Sequence, residues 1–237
     1  MARRKVDHLL IGGGLAGASC ARWLREEGAD GSILRVGREL DPPYNRPPLS
    51  KGYLRGEESK EDALYRPPEF YDEQDIELLT RTSVMKLDTA ERVATLSTKD
   101  EVEFEQALLA TGANVRRLRV DGCDLEGIHY LRAFGNSDHI REHARKADNV
   151  VLIGGSYIGC EVAASLTAAY GDKCTIAMLE DHPLSRTFGD EIGRFFRGVL
   201  QEHGVTIHAG EELERFEGSG EHVGKVVFKS GLELDAH

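Results

Sequence analysis

The sequence predicts an α/β fold in which one strand–helix–strand unit occurs twice, and three observations support this prediction. A glycine-rich turn at 12–17 separates an apolar run from a helical pattern, and a second turn at 154–159 does the same. An acid follows each turn at nearly the same distance, Glu39 at 22 and Glu180 at 21 positions beyond the last glycine. This combination is typical of Rossmann-type dinucleotide-binding units, in which the acid holds a ribose.

Length and composition narrow the range of functions. The 237 residues are 40% hydrophobic, which is enough for a large core in one or two domains, and the net charge of −11 argues against a nonspecific nucleic-acid binder. No apolar stretch approaches the ~20 residues of a membrane span, and the run after Arg3-Arg4-Lys5 is too short for a signal peptide. We therefore expect a cytoplasmic protein without a membrane partner. The four cysteines form neither C-x-x-C nor a zinc-type spacing, so no metal or redox disulfide is expected.

The first unit begins with a predicted strand, Val6–Ile11, followed by a predicted helix, Leu15–Glu27. Between them, Gly12 permits a tight turn, Gly14 lets backbone amides approach a pyrophosphate, and Gly17 lets the helix pack on the strand. The helix N-terminus adds unpaired N–H groups and the positive end of a dipole. A purely structural turn is the alternative, because glycine turns between strands and helices are common.

The second strand of this unit is predicted at Ser32–Val36 and leads to Arg38 and Glu39. Either side chain can point at the adenosine, and Glu39 stands where a ribose-binding acid is expected. The alternative for Glu39 is a solvated acid in a turn. The apolar positions that recur on one face of the preceding helix are Ala16, Cys20 and Leu24.

A loop with four prolines follows at 41–51. Its extended form suits a stiff surface connector or a ligand for a proline-binding module. It also suits a rigid arm that holds Arg46 and Lys51 over a bound anion. The residues by themselves do not decide between these readings.

Short β-like runs between Ile76 and Phe104 predict a small meander over the first unit, and Ala107–Ala110 is predicted to be a buried strand that ends at Thr111-Gly112. A helix is predicted at Ser137–Lys146. Two histidines, His139 and His143, lie four positions apart on it. Without an acid at motif spacing, a solvated helix face is favoured over a metal pair.

The second unit is predicted as a strand, Asn149–Ile153, a glycine turn and a helix, Ile158–Ala169. Ser156 stands where the motif has its middle glycine, which places NAD affinity in doubt because a Cβ crowds the pyrophosphate. Glu180 accepts from a ribose 2′-OH and repels a 2′-phosphate, which favours NADH over NADPH. The apolar helix face comprises Ile158, Val162 and Leu166, and the remaining predicted elements are Cys174–Leu179, Asp190–His203, Val205–Ala209 and a hairpin at Leu213–Phe228.

Several stretches also resemble one family, in the expected order and over essentially the whole chain. They are Pro43–Lys51, Leu64–Tyr71, Leu108–Ala113, Tyr130–Arg132 and Ile153–Ala163. The resemblance is to the FAD-dependent ferredoxin reductases of the pyridine nucleotide-disulphide oxidoreductase superfamily. These include putidaredoxin and rubredoxin reductases and the reductase components of aromatic-ring dioxygenases, and they are related to apoptosis-inducing factor and monodehydroascorbate reductase.

The resemblance implies a glutathione-reductase-like arrangement of two Rossmann-like domains, with the NAD domain inserted after the first part of the FAD domain. Residues 1–114 would be the first part of the FAD-binding domain, whose remainder is absent from this chain. Residues 115–237 would be an NAD(H)-binding domain that is incomplete at its C-terminal end. The sequence therefore resembles a truncated form of these reductases.

The resemblance and the motifs together assign the site residues. Lys51 and Glu161 would form a charged pair beside the flavin, where Lys51 favours the anionic reduced state; the alternative for Glu161 is a helix acid held by the dipole. The expected FAD contacts are Gly12, Gly14, Leu15, Ala16, Gly17, Arg38, Glu39, Arg46, Lys51, Val84, Ala110, Thr111, Gly112 and Arg132. The expected NAD(H) contacts are Gly154, Ser156, Tyr157, Ile158, Gly159 and Glu180.

The implied reaction passes a hydride from NADH to FAD and then single electrons to a ferredoxin-like or rubredoxin-like iron–sulfur protein. No redox cysteine pair follows the first unit, so electrons are expected to leave the flavin edge directly. The alternatives are an NADH-sensing flavoprotein of the apoptosis-inducing-factor kind, a monodehydroascorbate reductase or NADH oxidase, and a non-catalytic fragment. The oligomeric state is left open between a monomer and a homodimer.

Overall fold

Residues 2–171 and 173–237 are described by a computed structural model, which divides the chain into two compact units. The first unit comprises residues up to Asn45 together with Glu61–Asn114, and the second comprises Arg46–Lys60 together with Val115–His237. One boundary between the two compact units falls between Asn114 and Val115, and the assignment of residues 1–114 to FAD and 115–237 to NAD(H) stays a prediction. Residues 46–60, which the prediction groups with 1–114, belong instead to the second unit, because their contacts lie mainly there.

The described chain contains runs of consecutive strands and of consecutive helices as well as single strands followed by helices. The first eleven are β1 (Arg3–Ile11), α1 (Leu15–Glu26), β2 (Ile33–Val36), the 3₁₀ turn Pro47–Ser50, α2 (Gly52–Arg55), α3 (Lys60–Ala63), α4 (Pro68–Glu73), β3 (Ile76–Leu79), β4 (Val84–Asp88), β5 (Val93–Leu96) and β6 (Glu101–Leu109). The others are α5 (Phe134–Lys146), β7 (Val150–Ile153), α6 (Tyr157–Tyr170), β8 (Cys174–Met178), α7 (Ser185–Phe188), α8 (Asp190–Glu202), β9 (Thr206–Ala209), β10 (Leu213–Ser219), β11 (His222–Phe228) and β12 (Glu233–Asp235).

The first unit is built on a six-stranded sheet in the order β3-β2-β1-β6-β5-β4. The strands β3, β2, β1 and β6 are parallel, whereas β6, β5 and β4 pair in antiparallel fashion. Along β1, Leu9 and Ile11 pack into one core while Leu10 packs into the core on the opposite face, which includes Ala21 of α1. The apolar run of β1 is thus buried on both faces, as expected for a central parallel strand.

The second unit contains a parallel sheet in the order β7-β8-β9 and an antiparallel sheet in the order β10-β11-β12. The largest core of this unit lies between the parallel sheet and its helices, and it joins Val162 and Leu166 of α6 to Ile176 of β8 and Leu200 of α8. The antiparallel sheet has its own core around Phe216 and Phe228. The predicted hairpin is present as β10 and β11, and β12 was not predicted.

Two predictions about the strands were wrong. The strand β3 does not belong to the meander, because it pairs in parallel with β2, with Ile33 opposite Ile76. The stretch predicted as a buried strand at Ala107–Ala110 is the end of the longer β6, where Leu108 faces a core but the alternating Leu109 is 64% exposed.

Two residues of the predicted helix faces are exposed. On α1, the buried positions are Gly17, Ala18 and Ala21, and Ala16 is rotated away from that stripe. On α6, Ile158 is exposed because it stands two positions before the buried Cys160 and so points away from the core. The other predicted elements begin and end within three residues of the observed ones.

Candidate dinucleotide sites

The first glycine turn lies at the corner between β1 and α1, and its three motif glycines have different surroundings. Gly12 has a φ of +143°, and a Cβ there would lie 2.1 Å from the carbonyl oxygen of Ala110. A Cβ at Gly17 would lie 2.9 Å from the carbonyl oxygen of Gly12. Gly14, by contrast, has no atom within 4 Å of such a Cβ. Packing therefore explains Gly12 and Gly17, whereas the open space at Gly14 suits a ligand.

The N-terminus of α1 is available to an anion. Gly14 is the N-cap residue and makes no side-chain capping hydrogen bond, and the first turn of the helix contains no acid. The first N–H groups of an uncapped helix lack partners inside the helix, and the helix dipole makes this end positive. Leu15, at the first helical position, and Ala16 are both exposed beside the turn. This end of α1 can bind a phosphate group.

Ala110, Thr111 and Gly112 lie beside the same turn. The amide of Ala110 donates to the carbonyl of Ile11 at 2.8 Å, and the amide of Gly12 donates to the carbonyl of Val36 at 2.8 Å. These bonds join the ends of β6, β1 and β2 at the carboxyl edge of the sheet, which is where α/β proteins bind their ligands. Val84 is the first residue of β4 in the same unit, and it packs against the core that includes Ile11 and Val36.

The acid after β2 is held in place by a residue that the sequence analysis did not identify. The hydroxyl of Tyr44 donates to Oε2 of Glu39 at 2.5 Å, and the Tyr44 side chain is buried. Arg38 is exposed and donates to the side-chain oxygen of Asn114. Glu39 is therefore oriented by a buried phenol, which is unlike a freely solvated turn acid.

The second glycine turn repeats the geometry of the first within the second unit. Gly154 has a φ of +104°, and a Cβ at Gly159 would lie 2.2 Å from the carbonyl oxygen of Gly154. Ser156 caps α6 with φ and ψ of −86° and −175°, and Gly14 caps α1 with −91° and −175°. The Cβ of Ser156 therefore occupies the position that corresponds to the open space beside Gly14.

The other residues of the second site lie around this turn. Tyr157 and Ile158 are exposed in the first turn of α6. Glu180 comes two residues after β8 and accepts a hydrogen bond of 3.3 Å from Arg186, whose side chain is largely exposed. Leu179, beside Glu180, is 62% exposed. An acid and an exposed apolar side chain thus follow β8, the strand that pairs in parallel with β7.

Lys51 and Glu161 form an ion pair inside the second unit. Lys51 Nζ lies 2.6 Å from Oε2 of Glu161, and the hydroxyl of Ser50 donates to the same oxygen at 2.6 Å. Burial raises the pKa of Glu161, but the hydrogen bonds from Lys51 and Ser50 and the charge of Lys51 outweigh it, so that the pKa is lowered overall. Glu161 is therefore a carboxylate at neutral pH.

Buried serines attach the segment of Lys51 to the second unit. Ser165 of α6 donates to the carbonyl of Ser50 at 2.7 Å, and Ser137 of α5 donates to the carbonyl of Leu49 at 2.8 Å. Ser50, Ser137 and Ser165 are all buried. These serines were not among the predicted site residues, because a serine in a helix has no sequence pattern that reveals a distant partner. The guanidinium of Arg46, a further residue of this segment, donates to the carbonyl of Arg132.

The α5 helix carries two histidines, one of which contacts a third histidine. His139 and His143 are exposed on α5, and His143 Nδ1 lies 3.0 Å from Nε2 of His129. Burial, followed by the charges of these two histidines, lowers the pKa of His129. Over the described ranges, no group of three or more metal-ligating side chains is positioned to hold an ion. The four cysteines are free thiols, and burial raises the pKa of Cys160 to about 11.

The chain matches known proteins over nearly its whole length. The family model of pyridine nucleotide-disulphide oxidoreductase matches residues 6–237. Rubredoxin-NAD(+) reductase of Pseudomonas putida is 32% identical over 228 residues, which are 96% of this chain and 59% of that protein.

Within residues 2–171 and 173–237, no helix has the length and apolar content needed to cross a membrane.

Two solved structures share the fold closely. The ferredoxin reductase for the CYP199A2 system from Rhodopseudomonas palustris has a TM-score of 0.92 at 30% identity, covering 97% of this chain and 56% of that one. The reductase in the covalent putidaredoxin reductase–putidaredoxin complex has a TM-score of 0.92 at 33% identity, covering 98% and 56%. The chain thus spans less than two thirds of the length of the relatives that it matches.

Proposed function

The chain belongs to the pyridine nucleotide-disulphide oxidoreductase family, and from this we propose that it acts in electron transfer from NADH, by way of FAD, to a small iron–sulfur protein. The single observation that carries this proposal is the repeated glycine turn, which has the same backbone geometry at Gly14 and Ser156. One turn lies in each compact unit. Two dinucleotide sites in one chain suit a resident cofactor and an exchanging one.

FAD is assigned to the first unit. The space at Gly14 and the uncapped N-terminus of α1 fit a pyrophosphate, and Glu39, oriented by Tyr44, fits the hydroxyls of a ribose. Arg38, Ala110, Thr111 and Gly112 lie at or near the same edge of the sheet. When bound, FAD supplies the chemistry of accepting a hydride from NADH and releasing single electrons.

NADH is assigned to the second unit. The N-terminus of α6 would bind the pyrophosphate, and the hydroxyl of Ser156 would donate a hydrogen bond to it, at the cost of the space that a glycine leaves free. Glu180 would accept from the ribose 2′-OH, and its charge disfavours a 2′-phosphate. The exposed Arg186 forms an ion pair with Glu180, and its positive charge would weaken this discrimination against a 2′-phosphate.

Lys51 and Glu161 are the proposed catalytic pair. The ammonium of Lys51 would stabilise negative charge that develops on the flavin ring, and Glu161 would hold the ammonium in position. The short bonds from Lys51 and Ser50 support this role, because both go to the same oxygen of Glu161 and so restrict the orientation of the carboxylate. Arg46 and Arg132, which the resemblance assigns to FAD, stay predictions of the sequence.

The proposed electron acceptor is a ferredoxin-like or rubredoxin-like protein. The printed names of the relatives support this class, because one is a rubredoxin reductase and another was solved in covalent complex with putidaredoxin. A cytoplasmic location belongs to the same proposal. A homodimer stays a prediction of the sequence alone.

The deciding experiment is an absorption spectrum of the purified protein, reconstituted with FAD, before and after anaerobic addition of NADH. We expect bound flavin bands that bleach with NADH and recover when an oxidised ferredoxin or rubredoxin is added. Bands that do not bleach would remove the reductase function. Bleaching without recovery on either acceptor would remove the proposed partner class.

A further inference from the structure

Arg35 is a charged residue in the core of the first unit. It lies in β2, where Leu34 and Val36 pack into the core on one face of the sheet. On the other face, Ile33 packs with Ala21 of α1 and Tyr71 of α4. The Arg35 side chain shares this face by strand alternation, and it is 1% exposed, the largest fully buried side chain in the described chain. An arginine is seldom buried to this extent without a partner.

The guanidinium of Arg35 lacks its expected partners. Among residues 2–171 and 173–237, neither Nε nor Nη2 of Arg35 has a hydrogen-bond partner, and the buried hydroxyl of Tyr71 has none either. Burial lowers the pKa of Arg35 to about 10, so that the group still carries its charge at neutral pH. Tyr71 and Glu39 are the other groups that act on this pKa. A buried charge without a hydrogen-bonded counter-ion is costly, which points to a missing anion.

The position of the guanidinium identifies where that anion belongs. Nη2 of Arg35 lies 3.3 Å from the place that a Cβ would occupy at Gly13 and 3.7 Å from the corresponding place at Gly37. Nε lies 3.9 Å from the place that a Cβ would occupy at Gly17. The charge therefore lies against the glycine turn, beside the N-terminus of α1. The positive end of the helix and the arginine repel each other, and an anion bound at the turn would neutralise both.

We propose that Arg35 is a phosphate-binding residue of the first dinucleotide site, where it acts with the N-terminus of α1 on the pyrophosphate of the cofactor. The inference rests on the proposed function, because it takes the first turn to be the FAD site. Gly13 and Gly37 have no side chains, so the guanidinium can approach the turn closely. With a net charge of −11 on the chain, a local cation at this turn offsets the general repulsion of an anionic dinucleotide.

The test compares Arg35→Leu with the parent chain and with Arg4→Leu, which removes an exposed arginine of the neighbouring strand β1. Dissociation constants for FAD, ADP, adenosine and inorganic phosphate are measured by calorimetry, and thermal unfolding is measured without nucleotide. We expect Arg35→Leu to weaken ADP and FAD about tenfold or more and adenosine less than about twofold, since a lost charge-assisted bond affects only phosphate-bearing ligands. We also expect it to raise the unfolding temperature of the nucleotide-free protein, because an unpaired buried charge is removed.

The outcomes separate this inference from the proposed function. If the parent binds FAD and ADP but Arg35→Leu binds them equally well, Arg35 has no role at the phosphate and the reductase proposal is unaffected. If ADP and adenosine weaken equally, Arg35 shapes the adenosine pocket and the inference fails. If the parent binds inorganic phosphate but Arg35→Leu keeps the ADP affinity of the parent, the inference also fails. If the parent binds neither FAD nor ADP, the proposed function fails first.

A second variant keeps the inference testable if Arg35→Leu does not fold. Arg35→Lys retains the charge but loses the planar fork of donors, and it is compared with Arg35→Met, which removes the charge and keeps a long side chain. We expect the ADP affinity of Arg35→Lys to lie between those of the parent and Arg35→Met, with adenosine affinity unchanged in all three. Equal ADP affinity for the lysine and methionine variants would contradict a role for the charge.

Discussion

Single glycines of the first turn have separable roles. Gly12 has a positive φ and lies against the carbonyl of Ala110, whereas Gly14 has an extended backbone and open space beside it. A side chain at position 12 would therefore strain the fold, and one at position 14 would occupy only the space left for a ligand.

We expect Gly14→Ala to leave the free energy of unfolding within about 0.5 kcal/mol of the parent while it weakens FAD binding. Gly12→Ala should lower the free energy of unfolding by about 2 kcal/mol or more, because strain and a steric clash act together. Urea titration and flavin fluorescence measure the two effects. A Gly14→Ala protein that binds FAD as tightly as the parent would show that the open space is not part of the site.

The Lys51–Glu161 pair predicts a pH dependence of stability. Because the folded-state pKa of Glu161 is lowered, its stabilisation is present above the unfolded value of about 4.5 and is lost as the pH falls through the folded value. The side chains are 44% and 34% exposed, so screening limits the effect of Glu161→Gln to about 0.5–1 kcal/mol at neutral pH. Urea unfolding of the parent and the variant should converge as the pH falls below the lowered, folded-state pKa of Glu161. A difference that is constant from pH 7 to the acid range would rule out the pair as its source.

Among the elements, the segment 46–60 packs in the second unit although the residues before and after it in the chain belong to the first. Its 3₁₀ turn presents two backbone carbonyls to serines of α5 and α6, and these hydrogen bonds are buried. Removing either hydroxyl leaves a buried carbonyl without its partner. The serines therefore hold Lys51 close to Glu161.

We expect Ser137→Ala and Ser165→Ala each to lower the free energy of unfolding by about 1–2 kcal/mol, and to speed amide exchange in residues 46–60. Ser230→Ala is the matched control, since its hydroxyl also donates a hydrogen bond but lies at the surface. Exchange in 46–60 that is as slow in both variants as in the control would mean that other contacts hold the segment.

For the whole molecule, the two glycine turns predict two separate ligand footprints. FAD should slow amide exchange around the turn between β1 and α1, and NADH should slow it around the turn between β7 and α6, because binding stabilises the conformation that it contacts. Hydrogen exchange read by mass spectrometry resolves the two regions. The Gly14→Ala variant should lose only the FAD footprint; NADH protection of the first turn alone would reverse our assignment of the two sites.

Much of the architecture was predictable because it depends on local patterns. Apolar runs that end in glycine, followed by helical spacing and an acid, specified both strand-to-helix corners and the position of Glu180. The helix faces were less predictable: Ala16 and Ile158 fit an apolar periodicity, but each is the second residue of its helix and is exposed, whereas Gly17 and Cys160, in the same first turns, are buried. The strand β3 was misassigned because a short apolar run has the same pattern in a parallel and an antiparallel sheet.

The sequence by itself determined that this chain carries the same strand–turn–helix unit twice, since the glycine spacing and the backbone freedom of glycine act within a few residues. Only the tertiary structure decided that residues 46–60 pack with the second unit, that Tyr44 orients Glu39, and that Arg35 lies buried against the first glycine turn. These features depend on which side chains meet across long separations in the chain. The periodicity of a strand or a helix does not indicate which distant side chains will contact it.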